Sequence, residues 1–170
     1  MSDGRWLVVV DMQEGFRTGP WATPGFDALV PRVRALVDEH EDRVVFTRFV
    51  PPADPQGAWA AYYDAWPFAL TAPASTWDVV DGLDAAGRPT VDAPTFGKWG
   101  PALLEATGGS RDVVVCGVST DCCVLSTVLA AVDDGASVGV VADACAGLDA
   151  TSHRHALDVM ALYAPAVRLL

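Results

Sequence analysis

Three side chains combine reactive chemistry with suggestive placement. Asp11 ends the apolar run "RWLVVVDM" (5–12), Cys123 lies just past "DVVVCGV" (112–118), and Lys98, the chain's one lysine, precedes the segment leading into that second run. A thiol on the first turn of a helix has its thiolate stabilised by the helix dipole, and an adjacent ammonium adds to the effect. A carboxylate within reach can take the thiol proton and pass it to a leaving group. Singly, each residue has a plainer use: a turn former at a strand end, a solvated loop charge, a core cysteine beside Val124 and Leu125. Together they supply a nucleophile, an electrostatic activator and a base. The polar turn holding Gly117, Ser119, Thr120 and Asp121 adds backbone N–H groups that could face a developing oxyanion.

Bringing these residues together requires a scaffold, and the apolar pattern describes one. Besides the two runs above, "RVVFTRFV" (43–50), "ASVGVVAD" (136–143) and "PAVRLL" (165–170) read as strands buried on both faces. Between them, 26–41, 100–109, 121–135 and 151–164 carry apolar residues at helical spacing, with Gly108, Gly109 and Gly135 as stops and Pro31 early in its helix. With one further strand near "WDVVD" (77–81), the expectation is a three-layer, doubly wound α/β domain. Its six-stranded sheet is mostly parallel and Rossmann-like. In such sheets ligands bind beyond the carboxyl ends of the strands, near the point where strand order reverses.

The stretch 51–99 differs from the rest. It holds seven of the 12 prolines and four of the 6 tryptophans, and reads as loops with one short helix at 57–66. Aromatic loops inside a regular α/β chain can wall a substrate pocket or simply pack an irregular segment. As pocket walls we take Phe16, Tyr62, Tyr63, Trp66 and Trp99.

Length and composition bound the rest. The 170 residues make one domain (1–170), without internal repeats or a linker, and 51% hydrophobic residues exclude a disordered chain. A formal net charge of -11 disfavours nucleic acid and anionic membrane surfaces as partners. No run is long enough for a bilayer span and no signal peptide is visible, which implies a cytoplasmic protein with free thiols. Cys116, Cys122, Cys123 and Cys145 make a poor disulfide framework, since two are adjacent. His153 and His155, two apart on a helix, point about 200° apart and cannot chelate one ion from one face.

The chain resembles the isochorismatase-like cysteine hydrolases, a family that includes nicotinamidases, N-carbamoylsarcosine amidohydrolases and ureidoacrylate hydrolases. The resemblance rests on "VVVDMQEGF" (8–16), "VVVCGVSTDCCVLSTVLAAVDDG" (113–135) and "VVADACAG" (140–147) with His153. It fades through 51–97. It implies Asp11 as general base, Lys98 as triad lysine and Cys123 as nucleophile, with Cys122 a bystander. It also implies a cis Val118–Ser119 peptide, with an oxyanion hole made by the backbone N–H groups of Ser119 and Cys123. Family members are commonly oligomers, so a homodimer or homotetramer is expected. Two departures stand out. Nicotinamidases bind a metal through an Asp and histidines after the second strand, where this chain reads "TRFVPPADPQG" (47–57) without histidine, so neither metal nor cofactor is expected. The segment between Lys98 and Cys123 is also shorter than usual.

The expected reaction is cofactor-free hydrolysis of a small amide, carbamoyl or related C–N substrate through a thioester. The alternatives are acid-catalysed hydrolysis of a vinyl ether without a covalent adduct, and a non-catalytic α/β binding module. Against the module, no phosphate-cradling glycine loop follows the first strand.

Overall fold

A computed structural model describes residues 4–170. Five runs of β-branched residues form strands close to where the pattern puts them: β1 (Trp6–Val10), β2 (Val44–Phe49), β4 (Asp112–Val118), β5 (Ser137–Ala146) and β6 (Val167–Leu169). The remaining strand, β3, is Thr90–Ala93 and not the expected 77–81. "WDVVD" follows a 3-10 turn (Ala74–Trp77); there Val79 makes a single antiparallel bridge to Gln13 and Val80 N–H donates to Met12 O at 2.9 Å. Its valines plug the core without forming a ladder, whereas β3 is an edge strand with only Val91 buried, too short and polar to signal itself.

The sheet order is β3-β2-β1-β4-β5-β6, and every pair is parallel. Helices follow as α1 (Glu14–Arg17), α2 (Phe26–His40), α3 (Ala58–Ala65), α4 (Phe68–Thr71), α5 (Pro101–Ala106), α6 (Leu125–Asp133) and α7 (Ala150–Ala161). Helix α2 lies against β1, β4 and β5, while α6 and α7 pack on each other and on β5 and β6. Right-handed crossovers that run one way from β1 and the other way from β4 put the two groups on opposite faces. The core is the double-sided sheet: Leu7 to Val10, Val44 to Phe46 and Val113 to Cys116 are all buried. Among the described residues no helix is long and apolar enough to cross a membrane.

The order of strands reverses between β1 and β4, and the space beyond their carboxyl ends is the crevice such sheets offer to ligands. Gly117 makes this junction close. It faces Val10 across the β1–β4 pair at φ +114°, after a register shift between Val115 and Gly117, and a Cβ there would sit 2.1 Å from Val10 O. Only glycine combines that backbone conformation with that approach.

Candidate active site

Asp11 leaves β1 at φ +49°, a left-handed conformation that Asp tolerates better than most residues. Its N–H donates to Thr47 O at 3.2 Å, and its carboxylate is fully buried. Thr47 Oγ1 donates to Oδ1 at 2.7 Å, and Lys98 Nζ lies 2.9 Å from Oδ2 with neither side chain exposed. The ammonium also donates to Thr95 O and Phe96 O, so all three of its N–H bonds are spent. Its remaining flank lies over the Phe49 ring, 5.1 Å from the centroid. Lys98 is therefore neither a solvated charge nor a hydrogen-bond donor to sulfur; it acts on the thiol through Asp11 and through its field.

Beyond β4, the Val118–Ser119 peptide is cis, and the chain turns through a π-helical turn (Thr120–Val124) before α6 begins. The wide turn buries Cys123 and leaves Cys122 half-buried on the same side as the crevice. Thr127, one turn further on, ties this element to the lysine loop: its hydroxyl donates to Cys123 O at 2.7 Å and accepts from Lys98 N–H at 2.9 Å. Gln13 performs the matching task at the other strand ends. Its amide donates to Phe49 O and Trp77 O and accepts from Phe49 N–H.

Burial raises the Asp11 carboxyl above its ordinary value; Lys98, Thr47 and the Cys123 thiol, which hydrogen-bonds to it, partly offset that rise. The Cys123 thiol is itself held high by its hydrogen bond with Cys122, by burial and by the Asp11 charge, with Lys98 opposing. Cys122 is lowered, chiefly by its hydrogen bond with Cys123. These shifts favour a protonated Cys123 sulfur beside a buried base over the preformed thiolate the sequence led us to expect. Cys116 and Cys145 are raised by burial, the latter to about 12, as core thiols should be.

Above Cys123 opens a cavity of about 280 Å³. Of the residues proposed as walls, Phe16, Tyr62 and Trp66 line it, together with Trp21, Phe49 and Phe96, which sequence reasoning did not single out. Tyr63 and Trp99 do not. Tyr63 is buried beneath Trp59, because consecutive residues on a short helix face different ways, and Trp99 Nε1 is held by Asp134 Oδ2 at 3.0 Å, away from the crevice. Trp21 is the hub of the aromatic wall, with ring centroids of Phe16, Phe49, Tyr62, Trp66, Phe68 and Trp77 all 4.9–6.1 Å away.

Ser119, Asp121, Cys122 and Cys123 form the floor and Leu148 part of the rim. Asp121 Oδ1 accepts from Ser119 Oγ at 2.7 Å and from Leu148 N–H at 3.0 Å, clamping the turn after β4 to the loop after β5. The same turn is held by His153, whose Nδ1 is 2.8 Å from Thr120 Oγ1, while His155 is exposed. Thr47 and Thr127 were legible only as polar residues within mostly apolar stretches, and Gln13, between Asp11 and Glu14, carried no such signal.

The arrangement has relatives. The model of the Isochorismatase domain matches residues 5–168. Isochorismatase domain-containing protein 2 of Xenopus laevis is 39% identical over 57 residues, a stretch covering 34% of this chain and only 28% of that protein. Among solved structures, a cysteine hydrolase from Pseudomonas syringae pv. phaseolicola superposes with a TM-score of 0.80 at 19% identity, covering 96% of this chain and 87% of the other. The pyrazinamidase of Pyrococcus horikoshii, in complex with zinc, gives 0.72 at 22% identity over 98% of each chain. Here the residues after β2 include no histidine, and among the described residues no three His, Cys, Asp or Glu side chains are grouped to hold a metal ion, so the donor set does not fit one. With the family model matching nearly the whole of it, the chain belongs to the isochorismatase family.

Proposed function

We propose that the protein is a cofactor-free cysteine hydrolase of a small amide, carbamoyl or related C–N substrate, with Asp11, Lys98 and Cys123 as its triad. The observation that carries this reading is the fully buried Asp11–Lys98 pair at 2.9 Å directly behind the Cys123 thiol. A charged pair without solvent costs desolvation energy that packed apolar side chains would avoid, which argues for a chemical use.

In this reaction the Cys123 thiol attacks the substrate carbonyl as Asp11 takes its proton. A base raised by burial suits a thiol that is itself raised, because transfer and attack then proceed together. The carbonyl oxygen becomes an oxyanion held by the N–H groups of Ser119 and Cys123, both at the cavity floor. Asp11 returns the proton to the departing amine, leaving a thioester on Cys123. Water then gives up a proton to Asp11 and attacks the thioester; as the C–S bond breaks, Asp11 returns that proton to the Cys123 sulfur, releasing the acid and restoring the thiol and the carboxylate. Lys98 keeps Asp11 ionised and in place.

The test is ammonia release from a panel of small primary amides and carbamoyl compounds, with intact-mass detection of an acyl adduct on Cys123. Asp11→Asn and Cys123→Ala should each abolish turnover. Hydrolysis that survives Cys123→Ser but is lost in Asp11→Asn would overturn the covalent route and leave acid catalysis of the vinyl-ether type.

A further inference from the structure

The walls of the cavity carry a charge pattern that bears on what enters it. Its rings are Phe16, Trp21, Phe49, Tyr62, Trp66 and Phe96, and among the described residues no Lys, Arg or His side chain lines it. Lys98 offers nothing to a ligand, being without exposed surface and with all its donors spent. The Tyr62 phenol, pushed up to about 12 chiefly by burial, is neutral at any working pH. Outside the buried triad, Asp121 is the wall's one carboxylate among the described residues. Its Oδ1 is taken by Ser119 and Leu148, and no group among the described residues hydrogen-bonds Oδ2.

An aromatic enclosure with one open carboxylate and no cation attracts a positive charge through ring quadrupoles and Coulomb's law. A carboxylate entering it would find no cationic partner among the described residues and would face a protein of net charge -11. We propose that the cavity above Cys123 takes a small amide or carbamoyl compound whose remote end carries an ammonium group, read by Asp121 Oδ2 and the surrounding rings, and that it rejects carboxylate-bearing analogues. This deepens the hydrolase reading and rests on it for the scissile bond, while the charge preference belongs to the walls alone.

The experiment separates the two. Three amides of similar length, 5-aminopentanamide, hexanamide and glutaric acid monoamide, are titrated into the Cys123→Ala protein at pH 7.5 with tryptophan fluorescence as readout. Expected is at least tenfold tighter binding of the ammonium compound than of hexanamide, with the carboxylate weakest. In the Cys123→Ala background, Asp121→Asn keeps the Oδ1 acceptor and should reduce the preference for the ammonium compound over hexanamide to less than threefold. Equal affinities, a preference for the carboxylate, failure of the ammonium compound to bind at millimolar concentration, or a preference that persists in Asp121→Asn would overturn the proposal. Binding in the expected order, with no turnover of the ammonium compound by the wild type, would overturn the hydrolase reading and leave the charge preference standing.

Discussion

Lys98→Met is the substitution whose consequences follow most directly from the geometry. It keeps an unbranched side chain of similar reach in a fully buried position and removes the charge 2.9 Å from Asp11 Oδ2. At an effective dielectric of ~20, two unit charges at that distance attract by roughly 6 kcal/mol, and removing one partner of a buried pair costs about 3–5 kcal/mol. For a chain of this length that corresponds to a fall of roughly 6–20 °C in Tm. Asp11 can limit the loss by taking a proton, because the Lys98 charge is what most opposes the rise imposed by burial. The native variant would then hold a proton that the unfolded chain has released, so its stability falls as pH rises, by up to about 1.4 kcal/mol per pH unit.

Urea denaturation of wild type and variant at pH 6 and pH 8, followed by far-UV circular dichroism, reads this directly. The gap should be wider at pH 8, and the variant should lack hydrolytic activity at both. A loss below about 1 kcal/mol, or one identical at the two pH values, would refute the account of Asp11 as a buried charge sustained by Lys98.

Thr47→Val removes a 2.7 Å hydrogen bond that favours the ionised carboxylate, worth about 1 kcal/mol. A base loses activity as pH falls through its pKa, so the acidic limb of kcat/KM should move to higher pH by roughly 0.7 units; an unmoved limb would separate Asp11 from proton transfer. Gly117→Ala should cost roughly 2–6 kcal/mol by combining backbone strain with overpacking against Val10, whereas Gly109→Ala, with open space around it, should cost about 1–2. Equal losses in thermal unfolding would contradict the close approach of β1 and β4. Brief iodoacetamide treatment at pH 7.5 followed by peptide mass mapping should label Cys122 ahead of Cys123 and spare Cys116 and Cys145. Labelling of the two core thiols at a comparable rate would refute the burial described for them.

Much of the scaffold was readable because a parallel strand covered on both faces is written as an unbroken β-branched run, and "WLVVV" or "DVVVCGV" leave little else to be. The edge strand escaped for the same reason: with one buried side chain, "TVDA" carries almost no pattern, while the two valines of 77–81 imitate one. Asp11 was singled out because it directly follows such a run, and Cys123 because it lies one short turn past another. The segment 121–135 was legible as a helix, yet the chain enters it through a wider π turn over Thr120–Val124, a hydrogen-bond detail that periodicity does not encode. The same limit applies to Tyr62 and Tyr63, where the facing of two adjacent rings depends on how α3 is docked. Thiol acidity was out of reach as well, since it depends on the coupling of Cys122, Cys123 and Asp11 across a closed site.

The pairing of Val10 with Gly117 has a temporal consequence. These neighbours lie on the order of a hundred residues apart, so β1 waits with one side bare until two-thirds of the polypeptide has been made, and closing so wide a loop is slow. The carboxylate and the sulfur come together in the very event that closes the sheet. A chain halted before that point would therefore have neither a complete core nor half of an enzyme.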